Sequence, residues 1–123
     1  MKNSGKVWLV GAGPGDISLL TLKALQCIQQ ADVIIYDRLV NPKMLEWCSA
    51  SCTCINVGKS PGYHSVPQEE INALLIQHAR TQRNVVRLKG GDPYVFGRGA
   101  EEVECLGEEG IAFEVVQIGR AHV

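Results

Sequence analysis

The sequence predicts an α/β fold with a mainly parallel five-stranded sheet and about four helices, and three observations lead to it. Strand-sized apolar runs alternate with segments whose apolar residues recur at helical spacing. The polar, glycine-rich loops fall after strands, where open α/β sheets place their ligands. The chain has 123 residues, 46% of them apolar, which suits one domain with a single core.

Residues 6–10 form a short apolar strand that ends in a Gly/Pro turn, after which Leu19, Leu22, Leu25 and Ile28 recur at helical spacing. Residues 32–36 repeat the strand pattern, 41–47 fit a short helix, and 53–57 read as a third strand broken by the glycines of 58–62. Ser65-Val66-Pro67-Gln68 has the form of a capping box, with a proline tolerated in the first turn, so a helix is expected to start there. Ile71, Leu74, Leu75 and Ala79 stack on one face of that helix, and Glu69, Glu70, Asn72 and Gln77 fall largely on the others. Residues 84–88 make a fourth strand, 98–109 a fourth helix closed by Gly110, and 112–116 a fifth strand. Such alternation implies a mainly parallel sheet covered on both faces.

Composition excludes several classes. Twelve Lys and Arg against thirteen Asp and Glu, with no basic block, offer no positive stripe to a phosphate backbone, so no nucleic-acid partner is expected. The strongly apolar runs, 7–10 and 33–36, fall far short of the roughly 20 residues that span a bilayer, and the first residues open onto no signal-peptide core. An odd count of five cysteines without an export signal favours a reducing compartment, the cytoplasm by default, and free thiols. Cys48, Cys52 and Cys54 cluster, but they lack a C-x-x-C pair and a second ligand pair, so buried or incidental thiols are expected and no metal.

Three loop regions carry the unusual residues. Gly11-Ala12-Gly13-Pro14-Gly15-Asp16 sits where a dinucleotide fingerprint would, yet Asp16 stands in place of the third glycine. Pro14 removes an N–H that a pyrophosphate would use, and Asp16 repels an anion, so the loop suits an uncharged or cationic ligand; a plain tight turn accounts for much of the same pattern. The stretch from Lys89 through Gly99, KGGDPYVFGRG, is more specific, because Gly90 and Gly91 permit close approach of a ligand to the backbone. Tyr94 and Phe96 fit either core or pocket wall, and Arg98 fits either a substrate carboxylate or its own helix end. Asp37 ends strand two, where a ribose-binding acid would also lie, and Lys59, Tyr63 and His64 add a cation, a phenol and an imidazole on the neighbouring edge.

The segments VGAGPGD at 10–16, LLTLKAL at 19–25, ADVIIYDRLV at 31–40, VGK at 57–59, GYHSVPQEEIN at 62–72 and VVRLKGGDPYVFGRG at 85–99 resemble the tetrapyrrole methylases, and within them the uroporphyrinogen-III C-methyltransferase branch. The resemblance spans nearly all of residues 6–116. It implies a methyl donor, S-adenosylmethionine, lying against Pro14, Gly90, Gly91, Asp92 and Val95, with uroporphyrinogen III as the substrate methylated to precorrin-2 for siroheme or cobalamin synthesis. It also implies that Asp37 accepts a proton and Lys59 donates one. The substrate is a polyacid, which makes Arg38, Lys59, Arg98 and Lys89 its expected carboxylate partners, with Tyr63 and His64 also expected to bind it. Another tetrapyrrole or precorrin methyltransferase, or a non-catalytic nucleotide-binding module, is the alternative.

The same resemblance implies that residues 5–116 are the first of two domains, followed in the family by a Pro-Gly-Ile-Thr turn and a second α/β domain, the whole forming a homodimer. Residues 117–123 depart from that pattern, and Ile118-Gly119-Arg120-Ala121-His122-Val123 is what one reading frame of a common sequencing adapter would encode. A non-native tail is expected there, the second domain absent, and the lone first domain inactive because it supplies one wall of the cleft.

Overall fold

A computed structural model of the protein describes residues 5–12, 21–37, 40–58, 66–81, 84–90 and 98–116, with the backbone alone for 98–100. Five strands, β1 (Lys6–Gly11), β2 (Val33–Tyr36), β3 (Thr53–Asn56), β4 (Asn84–Lys89) and β5 (Ala112–Val116), form one sheet. Its order is β3-β2-β4-β1-β5, and every pairing is parallel. Helices α1 (Leu22–Gln30), α2 (Gln68–Thr81) and α3 (Arg98–Glu108), with a 3-10 helix at Pro42–Trp47, complete the described elements.

Alternation along the strands divides the core in two. Val10, Ile34, Val86 and Leu88 point to one face and meet Ala24, Cys27 and Ile28 of α1 and Met44 of the 3-10 helix. Val7, Leu9, Val33, Ile35 and Val85 point to the other and meet Ile71, Leu75 and Ala79 of α2 and Leu106 of α3. β4 lies between β2 and β1 and has five of its six residues buried, Arg87 and Lys89 among them.

Local chemistry sets the helix ends. The Thr21 hydroxyl accepts the Ala24 N–H at 3.1 Å and starts α1, and the Asn41 side chain accepts the Lys43 N–H ahead of Pro42. α3 stops at Gly110, whose φ of +71° is the left-handed conformation that a side chain would strain. There Ile111 N–H donates to Leu106 O and Gly110 N–H to Gly107 O, and Ile111 packs in the same apolar cluster as Leu106. α2 departs from expectation. It starts at Gln68, and the Gln68 amide NH2 donates to Asn72 and Glu102, while Ser65 lies outside the described residues.

Candidate functional site

Chain direction makes the carboxyl end of β4 the point where a ligand crevice should open. From β1 and β2 the chain crosses the α1 face to its next strand; from β3 and β4 it crosses the opposite face through α2 and α3. β4 is therefore flanked on both sides by strands whose connections leave on the opposite face, and the gap between such diverging connections is where parallel sheets bind ligands. Gly11 ends β1 there and Ala12 follows it, Asp37 follows β2, Gly58 comes after β3 and Gly90 follows β4.

Hydrogen bonds tie these ends together. Ala12 N–H donates to Lys89 O at 2.7 Å, and Val57 N–H donates to Tyr36 O at 2.8 Å, extending the ladder past the strands. Gly58 N–H donates to the Asn56 side chain at 2.9 Å. Gly90 N–H donates to Asp37 Oδ1 at 3.3 Å, so a half-buried carboxylate is aimed across the sheet at the start of the glycine pair.

Beneath this crevice lies an ionic group that sequence reasoning missed. Arg87 and Lys89 point to the α2/α3 face of β4 and are 4% and 8% exposed; Glu102 of α3 is fully buried between them. Arg87 Nε donates to Glu102 Oε2 at 3.0 Å, Lys89 Nζ to Glu102 Oε1 at 3.4 Å, and Gln68 Nε2 to Glu102 Oε2 at 3.1 Å. The Arg87 guanidinium also reaches Ile35 O and Leu88 O, each at 3.4 Å. Among the described residues no buried side-chain nitrogen or oxygen lacks a partner. Burial lowers the Lys89 pKa; the Glu102 carboxylate opposes that shift, the Arg87 charge adds to it, and Asp37 opposes it more weakly. A signal for this group was present: two cations at i and i+2 on a fully buried strand share one face and require a countercharge there.

The structure thus brings two of the expected site residues, Asp37 and Gly90, into contact. Lys89, expected to meet a substrate carboxylate, is instead committed to Glu102, because its face of β4 is covered by α3. Pro14, Arg38, Lys59, Tyr63, His64, Gly91, Asp92 and Val95 lie outside the described residues, and Arg98 opens α3 with its side chain undescribed. No helix among the described residues is long and apolar enough to cross a membrane.

Comparison with known proteins gives this crevice a lineage. The chain is 62% identical over 112 residues to siroheme synthase 2 of Aeromonas hydrophila, an alignment that covers 91% of the chain and 24% of that protein. It is 56% identical over 112 residues to the uroporphyrinogen-III C-methyltransferase of Bacillus subtilis, covering 91% of the chain and 44% of that enzyme. The chain thus spans about a quarter to somewhat under half the length of these relatives. Its fold matches the crystal structure of uroporphyrin-III C-methyl transferase from Thermus thermophilus complexed with S-adenyl homocysteine, with a TM-score of 0.78 at 48% identity, over 94% of the chain and 45% of that structure. The profile described as Tetrapyrrole (Corrin/Porphyrin) Methylases matches residues 6–117, nearly the whole sequence, and the chain belongs to that family.

Proposed function

We propose that the chain supplies the first domain of an enzyme for S-adenosylmethionine-dependent C-methylation of uroporphyrinogen III, giving precorrin-2 for siroheme or cobalamin synthesis. That enzyme works as a cytoplasmic homodimer, and the first domain alone is inactive. The observation that carries this reading is the contact between Asp37 and the Gly90 N–H, which joins the expected acid to the expected cofactor loop. Relatives with that activity in their names, and one solved with S-adenyl homocysteine, support it. In the same reading residues 5–116 form one wall of a cleft and a second α/β domain forms the other.

The residues present fit such a cofactor. Gly90 keeps the backbone open to close approach, and the crevice carries no side-chain cation among the described residues that would demand a phosphate. Pro14, Gly90, Gly91, Asp92 and Val95 would hold the cofactor, which supplies an electrophilic methyl group on a sulfonium. With it bound, a pyrrole carbon of the substrate would take the methyl as the S–CH3 bond breaks, leaving positive charge on the ring. Asp37 would stabilise that charge and take up the one proton the ring loses; Lys59, the expected proton donor, would recover from the ring any proton it gives, and Arg38, Tyr63, His64 and Arg98 would pair with substrate carboxylates.

Asp37→Asn tests the assignment. In the enzyme completed by a second α/β domain, methyl transfer at saturating cofactor should fall by about 10²–10⁴-fold, while cofactor affinity measured by calorimetry stays nearly constant. Loss of cofactor affinity with turnover intact at saturation would make Asp37 a ribose reader and overturn the mechanism.

A further inference from the structure

Three of the five cysteines converge at the amino end of β3, away from the crevice. Cys48 follows the 3-10 helix as its C-cap, Cys52 immediately precedes β3, and Cys54 is the second residue of that strand. The sequence spacing predicted incidental thiols. In the structure the three sulfurs all lie within 4.8 Å of one another, with Cys48 Sγ and Cys54 Sγ 3.9 Å apart.

Backbone hydrogen bonds hold the triangle. Cys48 N–H donates to Leu45 O at 3.4 Å, Cys52 N–H to Ser49 O at 3.1 Å, and Thr53 N–H to Asp32 O at 3.0 Å. All three cysteines are free thiols, half-buried at Cys48 and Cys52 and exposed at Cys54, so solvent has an approach. Sulfurs bound to one tetrahedral zinc at about 2.3 Å sit about 3.8 Å apart, so the observed triangle needs only a small contraction.

We propose that Cys48, Cys52 and Cys54 form a three-thiolate site for one soft or borderline d10 cation, zinc(II) foremost, with the fourth position left to solvent. Thiolate ligands select such ions over hard cations. Desolvation and the neighbouring thiols push the Cys52 thiol up to about 12, and Cys54 also above its ordinary value. A bound dication reverses that shift and releases protons. The site would fasten the end of the 3-10 helix to edge strand β3, whose Thr53, Cys54 and Asn56 are exposed. It is a structural site, independent of the methyl-transfer reading.

The test uses metal-free protein kept reduced by a non-thiol reductant and titrated with zinc(II) against a competing chromophoric chelator. One equivalent per chain should bind with release of protons, and cadmium(II) should give a sulfur-to-metal charge-transfer band. Alkylation mapped by mass spectrometry should show zinc protecting Cys48, Cys52 and Cys54 while Cys27 and Cys105 react as before. Cys54→Ser should weaken binding by more than the roughly 10–100-fold that changes beyond the ligands themselves cost. Failure to retain zinc against the chelator, equal protection of Cys27 and Cys105, or wild-type affinity in folded Cys54→Ser overturns the site. If Cys54→Ser does not fold, the alkylation pattern of the wild-type protein decides alone.

Discussion

The two faces of the sheet are built on different principles. On the α1 side the strands bury Val10, Ile34, Val86 and Leu88 against Ala24, Cys27 and Ile28, and the described core there is wholly apolar. On the α2/α3 side Val7, Leu9, Ile35 and Leu75 share the interior with Arg87, Lys89 and Glu102. The apolar face draws its stability from area and shape, which tolerate small changes in proportion to the volume lost. The ionic face draws on charge compensation, which fails abruptly when one member is removed. Strand β4 shows the contrast within six residues, presenting Val86 and Leu88 to the first face and Arg87 and Lys89 to the second.

Glu102→Ala should be the most damaging change, at about 3–5 kcal/mol in denaturant unfolding, because two buried cations lose their countercharge. The combined Arg87→Met, Lys89→Met and Glu102→Leu variant should recover wild-type stability or exceed it. If the triple variant is no better than Glu102→Ala, the group is a structural necessity and the contrast between the faces is wrong. On the apolar face Ile28→Val should cost about 0.5–1.5 kcal/mol by the same measurement, in keeping with one lost methylene.

The smallest expected effect is a slope with pH. The folded-state pKa of Lys89 is lowered from 10.5, so between that lowered value and 10.5 the unfolded chain binds more protons than the folded one. The stability of the wild type relative to Lys89→Met should therefore rise with pH across that alkaline window. A difference that is flat or falls with pH would mean that pairing with Glu102 outweighs burial at Lys89. Using the variant as reference removes the contribution of the thiols, which has the opposite sign: Cys52, raised from 9.0 to about 12, loses its stabilising contribution as pH climbs through that range.

Strand positions were legible because a parallel sheet covered on both faces demands unbroken valine- and isoleucine-rich runs ended by glycine. The run of residues 7–10, ended by Gly11, could be read this way, and the closing role of Gly110 by its place after a helical stretch. The order that puts β4 between β2 and β1 could not, since any of these runs would satisfy a central strand. Glu102 looked like one more acid in an acidic amphipathic helix, and only the placement of α3 over β4 shows that it faces inward. The cysteine triangle escaped for a related reason: its closure depends on where the end of a 3-10 helix meets an edge strand, and no ligand spacing encodes that. Asp37 stood out by position alone, at the end of a strand, and the bond from Gly90 is what joins it to the loop after β4.

The register of β1 also has a consequence for how the chain comes together in time. Lys6 pairs with Asn84 and Ala112, and among the described residues β1 lies between β4 and β5. During synthesis β2 and β3 can associate early, but β1 has no edge to join until the residues around Asn84 have left the ribosome. Its apolar run of Val7, Leu9 and Val10 waits through more than half of the chain, a long-range closure of the kind that makes parallel sheets slow to form and open to wrong partners. The arrival of β4, the central strand, is therefore the event that joins the amino-terminal strand to the sheet, and protection of the β1 amides should appear together with its own.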